Sequence, residues 1–269
     1  MFIVLKNRLP ALTKRRGQLL LLGFLLGLIL SLMIGALSDM PLFHNPSRHY
    51  TYSTYKAANG VKLHAMRTVP DNIVLKPIRS NVTRTEEFGI NGGFFWNGDL
   101  LSIAVMNDMP IRGVPHEYGS GWTNIDYPKG TLVWDEAAGR FSVQVVEGAN
   151  QLQVTDRSRY WAQGGVSMSL GAGAQWADQA KKEDMPAFGE ARLRSGAVYD
   201  RMNNLWLLVS DQPCTVPEFR AAVLEVIAPG QLVDGIFLDG DGSSQMRSRQ
   251  VALKGDSREV YQMLALRRK

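Results

Sequence analysis

Cysteine is almost absent from the chain. Cys214 is the only one among 269 residues, which excludes an intrachain disulfide framework. It stands just before a helix-like run with no histidine close in sequence, the setting of a small packed side chain rather than of a catalytic thiol. Histidine is scarce as well. His44, His49, His64 and His116 have neither the paired spacing nor the cysteine company of a zinc site. A basic stripe is also missing from the bulk of the chain. The formal net charge is +5, but Lys6, Arg8, Lys14, Arg15 and Arg16 precede the first acid and account for all of it. A nucleic-acid partner requires cations on the folded part itself, so none is expected. The terminal Arg267-Arg268-Lys269 reads as a solvated tail. No period of about 20 to 50 residues recurs, which excludes a solenoid or propeller.

What is present begins with an apolar run. Residues 19–37, LLLLGFLLGLILSLMIGAL, carry no charge. As a helix rising about 1.5 Å per residue they would reach roughly 28 Å, close to a bilayer core. The basic segment 1–18 places the amino terminus in the cytoplasm. The run is longer than an ordinary secretory core, which favours an uncleaved signal anchor over a removed leader. The expectation is a single-pass protein of the cell membrane, tethered through residues 38–49, with residues 50–269 forming one extracytoplasmic domain. Within that domain Asn81-Val82-Thr83 is a glycosylation sequon.

Four turn signals lie between strand-like runs: Asn59-Gly60, Asn107-Asp108, Ala138-Gly139 and Asn203-Asn204. Each predicts a hairpin. Helices are few. One is expected to start at Thr215, with Glu218 completing a capping box and Phe219, Ala222, Val223, Val226 and Ile227 forming an apolar face, and to stop at Pro229-Gly230. It should lie against the sheet that carries strand 235–238. A shorter helix is expected within 174–184. The fold class is therefore α+β, a largely antiparallel or mixed β-sheet structure with a few packed helices, preceded by one transmembrane helix.

Three glycine-marked segments could carry chemistry. They are GINGGFFW at 89–96, LRSGAVYD at 193–200, and GIFLDGDGSSQM at 235–246, where a buried strand gives way abruptly to acids, hydroxyls and bare backbone. Taken singly, a Gly-Gly pair is more often a bulge, an arginine a solvated charge, and an Asp-Gly loop a tight turn. Taken together and in this order, the chain resembles the phosphodiester glycosidases, the family of the uncovering enzyme that removes N-acetylglucosamine from a phosphodiester-linked sugar. The resemblance runs from about residue 60 to the carboxyl terminus. It rests on INGGFFW, RSGAV and LDGDGSSQM, with Asp241 standing where the family usually has glycine.

The resemblance implies a hydrolase cutting between an anomeric carbon and phosphate, with a carbohydrate phosphodiester as substrate. Such a site needs a cation and amide donors for the anion, and a carboxyl group for the oxocarbenium-like transition state or the proton transfer. Asp239 is the candidate carboxylate and Arg194 the candidate forked cation, with Arg192 as the alternative register. Asn91 is expected to orient a substrate hydroxyl or the loop itself. Gly92, Gly93, Gly240 and Gly242 would let backbone amides approach the anion. Asp241 joins them in the substrate-binding loop, and Ser243 or Ser244 would hydrogen-bond phosphate or sugar. Phe94, Phe95 and Trp96 offer faces for stacking on a sugar, at least one of them filling core instead. No cofactor and no metal ligand is expected. A divalent ion beside the phosphate stays open, because Asp239, Asp241 and Ser243 alternate like a cation loop that lacks its closing glutamate. The alternative from a different class is a non-catalytic module that holds a glycan or cell-wall polymer on the same fold.

Overall fold

In the computed structural model, which describes residues 50–267 together with Gly23, Leu25 and Gly27, the most apolar runs become the strands buried on both faces. The first sheet has six strands in the order Thr51–Lys56 (β1), Lys62–Thr68 (β2), Leu205–Ser210 (β14), Ser195–Asp200 (β13), Leu232–Phe237 (β15) and Val166–Ser167 (β12). The second has five: Arg140–Val146 (β10), Lys129–Asp135 (β9), Tyr160–Gly164 (β11), Ala104–Met106 (β7) and Met109–Pro110 (β8). The third also has five: Ala252–Leu253 (β17), Met246–Arg247 (β16), Gly89–Asn91 (β4), Val260–Leu266 (β18) and Ile73–Ser80 (β3). Phe95–Trp96 (β5) and Asp99–Leu100 (β6) form a separate ribbon. Every pairing of named strands among the described residues is antiparallel.

All four expected hairpins form, joining β1 to β2, β7 to β8, β9 to β10 and β13 to β14. Their turn residues supply the left-handed backbone that a tight return requires, with φ of 54° and 60° at Asn107 and Asp108 and 58° at Asn203.

Alternation along β13 and β14 explains why neither strand has a polar face. Ala197, Tyr199, Leu205, Leu207 and Val209 enter a core shared by the three large sheets, while Val198, Trp206 and Leu208 enter a second core on the other face. That second core is covered by Val216–Val226 (α2), whose Phe219 ring lies 6.2 Å from Phe237. The capping box at Thr215 and Glu218 forms as expected, and the shorter helix occupies Trp176–Lys182 (α1). Pro77 interrupts no ladder because β3 is an edge strand.

The membrane span expected at 19–37 lies outside the described residues apart from Gly23, Leu25 and Gly27, which are helical. Among the described residues no helix is long and apolar enough to cross a membrane. The sequon asparagine is 2% exposed, and its Nδ2 donates to the carbonyls of Lys254 at 2.9 Å and Arg258 at 3.1 Å. In the folded chain that amide is committed to holding the segment before β18.

Candidate active site

The three glycine-marked segments meet at Asn91, which ends β4 and is 1% exposed. Its Oδ1 accepts from Ser195 Oγ at 2.9 Å and from the Gln245 amide at 3.1 Å, and its Nδ2 donates to the Asp239 carbonyl at 2.8 Å. Backbone bonds reinforce the junction: the Asp239 amide donates to the Gly92 carbonyl at 3.2 Å and the Asp241 amide to the Leu193 carbonyl at 2.7 Å. Antiparallel pairing brings them there, since β4 lies between β16 and β18 while Gly196 of β13 stands opposite Phe237 of β15. Asn91 therefore orients the loop. Asn91→Ala strips partners from buried groups of both other segments and should lower stability by on the order of 2–4 kcal/mol, read as a lower urea midpoint for the full chain.

Beyond the end of β15 the chain opens onto a cleft of about 260 Å³ whose lining includes Glu190, Arg192, Arg194, Asp239, Asp241 and Arg258. Asp239 has a half-buried side chain that is enclosed by protein apart from its opening onto the cleft. Burial pushes its carboxyl up to about 7, against the opposing pull of the Ser243 hydroxyl, Arg258 and the Gly240 amide. A carboxyl poised near neutrality in a cleft of arginines can both hold and release a proton under ordinary conditions.

Arg194 differs from its expected role. It is 3% exposed, and its guanidinium donates to four backbone carbonyls: Cys214 at 3.1 Å, Pro186 at 3.4 Å, Ala187 at 2.6 Å and Glu190 at 2.8 Å. The fork that would have gripped an anion instead ties loop 186–190 to the end of the first sheet. What it offers the cleft is a buried positive charge and one remaining Nη1 hydrogen. The exposed cations are Arg192, which pairs with Glu190 at 2.7 Å and lies 3.6 Å from Asp241, and Arg258, which forks onto Asp256.

The amides of Gly92 and Gly93 also differ from expectation. They donate to the carbonyl and to Oε1 of Gln262, both at 2.9 Å, and so do not face an anion. Glycine is required here for packing, because a Cβ on Gly92 would stand 1.8 Å from Gln262 Oε1. Gly240 lines the cleft and its amide faces the Asp239 carboxyl, whereas Gly242 is buried beside Asp256. Ser243 and Ser244 are each 1% exposed, and neither hydroxyl has a hydrogen-bond partner of good geometry. They lie beneath the loop rather than on the cleft wall. Asp241 keeps the loop in a left-handed turn with φ of 50°, a conformation that aspartate tolerates better than most residues with a β-carbon.

Sequence reasoning missed Arg258, Asp256 and Gln262. They sit in or just before β18, where no motif marks them; the available signal was that the last strand pairs with the one bearing Asn91. Cys214 is buried and its thiol is pushed up to about 11 by that burial, consistent with a packing role. Among the described residues no group of three or more His, Cys, Asp or Glu side chains is placed to hold a metal ion.

No protein-family model matches the chain, and no curated protein sequence matches it. Its fold is similar to that of the zebrafish N-acetylglucosamine-1-phosphodiester alpha-N-acetylglucosaminidase catalytic domain, solved in a form auto-inhibited by its pro-peptide. The two share 14% identity with a TM-score of 0.53, over 84% of this chain and 86% of that one. A hypothetical protein from Synechocystis aligns at 13% identity and a TM-score of 0.44, over 81% of this chain and 62% of that one. At 14% identity the likeness to the zebrafish domain is one of fold alone.

Proposed function

We infer that the chain is a hydrolase that separates a sugar from the phosphate of a glycosyl-1-phosphodiester, held at the outer face of the cell membrane by residues 19–37 and acting on envelope or exopolysaccharide material. What carries this reading is Asp239, a carboxyl with a pKa near 7 on a cleft that also presents Arg192 and Arg258. In its ionised form Asp239 accepts a proton from water as that water attacks the anomeric carbon. The bond from that carbon to the phosphate oxygen breaks, and its electron pair leaves with the phosphate monoester. The neighbouring guanidinium groups meet the charge on that leaving group, and the buried Arg194 adds to the positive field. The test is release of reducing sugar from a synthetic methyl phosphodiester of N-acetylglucosamine by the full chain; absence of release across a panel of glycosyl-1-phosphodiesters would remove the reading.

Asp241 favours a second reading, in which the cleft retains a glycan without cleaving it. Its carboxylate stands beside Arg192 and opposes an incoming anion. Asp241→Gly separates the two readings and should fold normally, since the positive φ suits glycine. If phosphodiester binding is the purpose of the cleft, the substitution should tighten it by about tenfold. If Asp241 grips the hydroxyls of a retained glycan, binding should weaken instead.

A further inference from the structure

A second cleft, of about 430 Å³, lies where β3, β18 and the β5–β6 ribbon come together. Its walls carry Arg79, Asn97, Asp99, Arg112 and Tyr261. Two local devices aim these groups. The register of β3 against β18 shifts between Val260 and Gln262, so that Ile78 and Arg79 face Tyr261 alone, a bulge that puts both residues at the cleft wall while Ile78 also packs on the core beneath β18. The ribbon turns through Asn97 and Gly98 with φ of 49° and 94°, and Arg112 is pinned across that turn by its Nη1 bond to the Gly98 carbonyl.

Three of the polar groups brought together there are not used by the protein. Among the described residues the Asp99 carboxyl, the Asn97 side-chain amide and the Tyr261 hydroxyl make no hydrogen bond, and the Arg112 guanidinium has no carboxylate within ion-pair distance. Arg79 reaches only Glu259, at 3.7 Å. A carboxylate, an amide, a phenol and two guanidinium groups around one hollow match the alternating donors and acceptors of a sugar, and the Tyr261 ring is held in place by Phe95 at 4.9 Å. Charge narrows the choice. Among the lining residues two arginines stand against one aspartate, and Glu259, the partner of Arg79, lies outside that lining, so an anionic sugar is favoured there over a neutral one.

The geometry points to a binding site for a pyranose that carries one negative charge, separate from the Asp239 cleft. Arg258 lines that first cleft and Tyr261, on the same segment, lines the second. A chain of acidic sugars could thus be held at one place and processed at another, although binding here does not depend on the hydrolytic reading. The charge could be a carboxylate or a phosphate, and the probes distinguish them.

The experiment is a ligand-observed NMR titration of the full chain, and of its Arg79→Ala, Arg112→Ala and Asp239→Asn variants, with methyl glucuronide, glucose 1-phosphate and neutral methyl glucoside. At least one charged sugar should bind tenfold or more tightly than the neutral one, and whichever binds better names the charge. Arg112→Ala and Arg79→Ala should each weaken that binding by about tenfold, while Asp239→Asn leaves it unchanged. Arg79 is 81% exposed at its side chain, so its removal leaves the fold intact and keeps the test valid should Arg112→Ala unfold. Equal binding of charged and neutral sugars, or binding untouched by Arg79→Ala, would overturn the assignment.

Discussion

Asp239→Asn should abolish turnover while making the protein more stable at neutral and alkaline pH. The first effect follows from removing a cleft carboxyl that burial has raised to about 7, and a loss of about 10²–10⁴ in kcat is the usual scale for such a residue. The second follows from linkage. The folded chain holds the Asp239 proton more tightly than the unfolded chain, so the contribution of this group to stability is complete below about pH 4 and is lost as pH rises through about 7. Asparagine cannot ionise and escapes that loss. The variant should match the parent near pH 4 and exceed it above pH 7 by at most on the order of 4 kcal/mol. Thermal unfolding across this range, run beside kcat, checks both. The sign of the rate profile is fixed as well: with Asp239 acting as a base, kcat/KM of the parent should rise with pH through about 7 and then level. A rate that falls above pH 7 would assign Asp239 to proton donation instead.

Arg194→Ala should unfold the site rather than merely loosen its grip on an anion. Four carbonyls, those of Pro186, Ala187, Glu190 and Cys214, lose their donor together. Charge-assisted bonds of this kind, broken from one side in a buried place, are worth on the order of 3–5 kcal/mol in sum, which corresponds to a melting temperature lower by roughly 10 °C. Lysine cannot reproduce the fork and should recover only part of the loss. Arg258→Ala is the contrast: its side chain is 45% exposed and its partner Asp256 is at the surface, so KM for a phosphodiester should rise with little change in melting temperature. If Arg194→Ala melts like the parent and raises KM alone, the clamp described for it is wrong.

The hairpins were legible because their signal is local. Asn107-Asp108 and Asn203 announce a left-handed backbone wherever they fall between apolar runs, and Thr215 with Glu218 announces a helix start in four residues. The meeting of the three glycine-marked segments depends on long-range pairing between β4, β16 and β18, which no periodicity encodes; only the family resemblance suggested it. Individual roles within the junction were the least legible. Arginine next to serine and glycine reads as an anion grip, but whether its fork meets phosphate or carbonyl is decided by loop 186–190, distant in strand pairing and silent in sequence. The Gly92-Gly93 pair likewise reads as open backbone, whereas the space freed by the missing β-carbons is filled by Gln262. The place of Asp239 on a cleft was legible because an acid directly after a buried strand has few structural reasons to be there.

Hydrolysis of a methyl phosphodiester of N-acetylglucosamine in ¹⁸O-labelled water, followed by mass spectrometry of both products, bears most directly on the proposed chemistry. Attack at the anomeric carbon should place the label in the freed sugar and none in methyl phosphate, and Asp239→Asn should yield neither product. Label in the phosphate, or release of sugar 1-phosphate, would mean that the chain cleaves phosphorus–oxygen bonds and that Asp239 serves a different reaction.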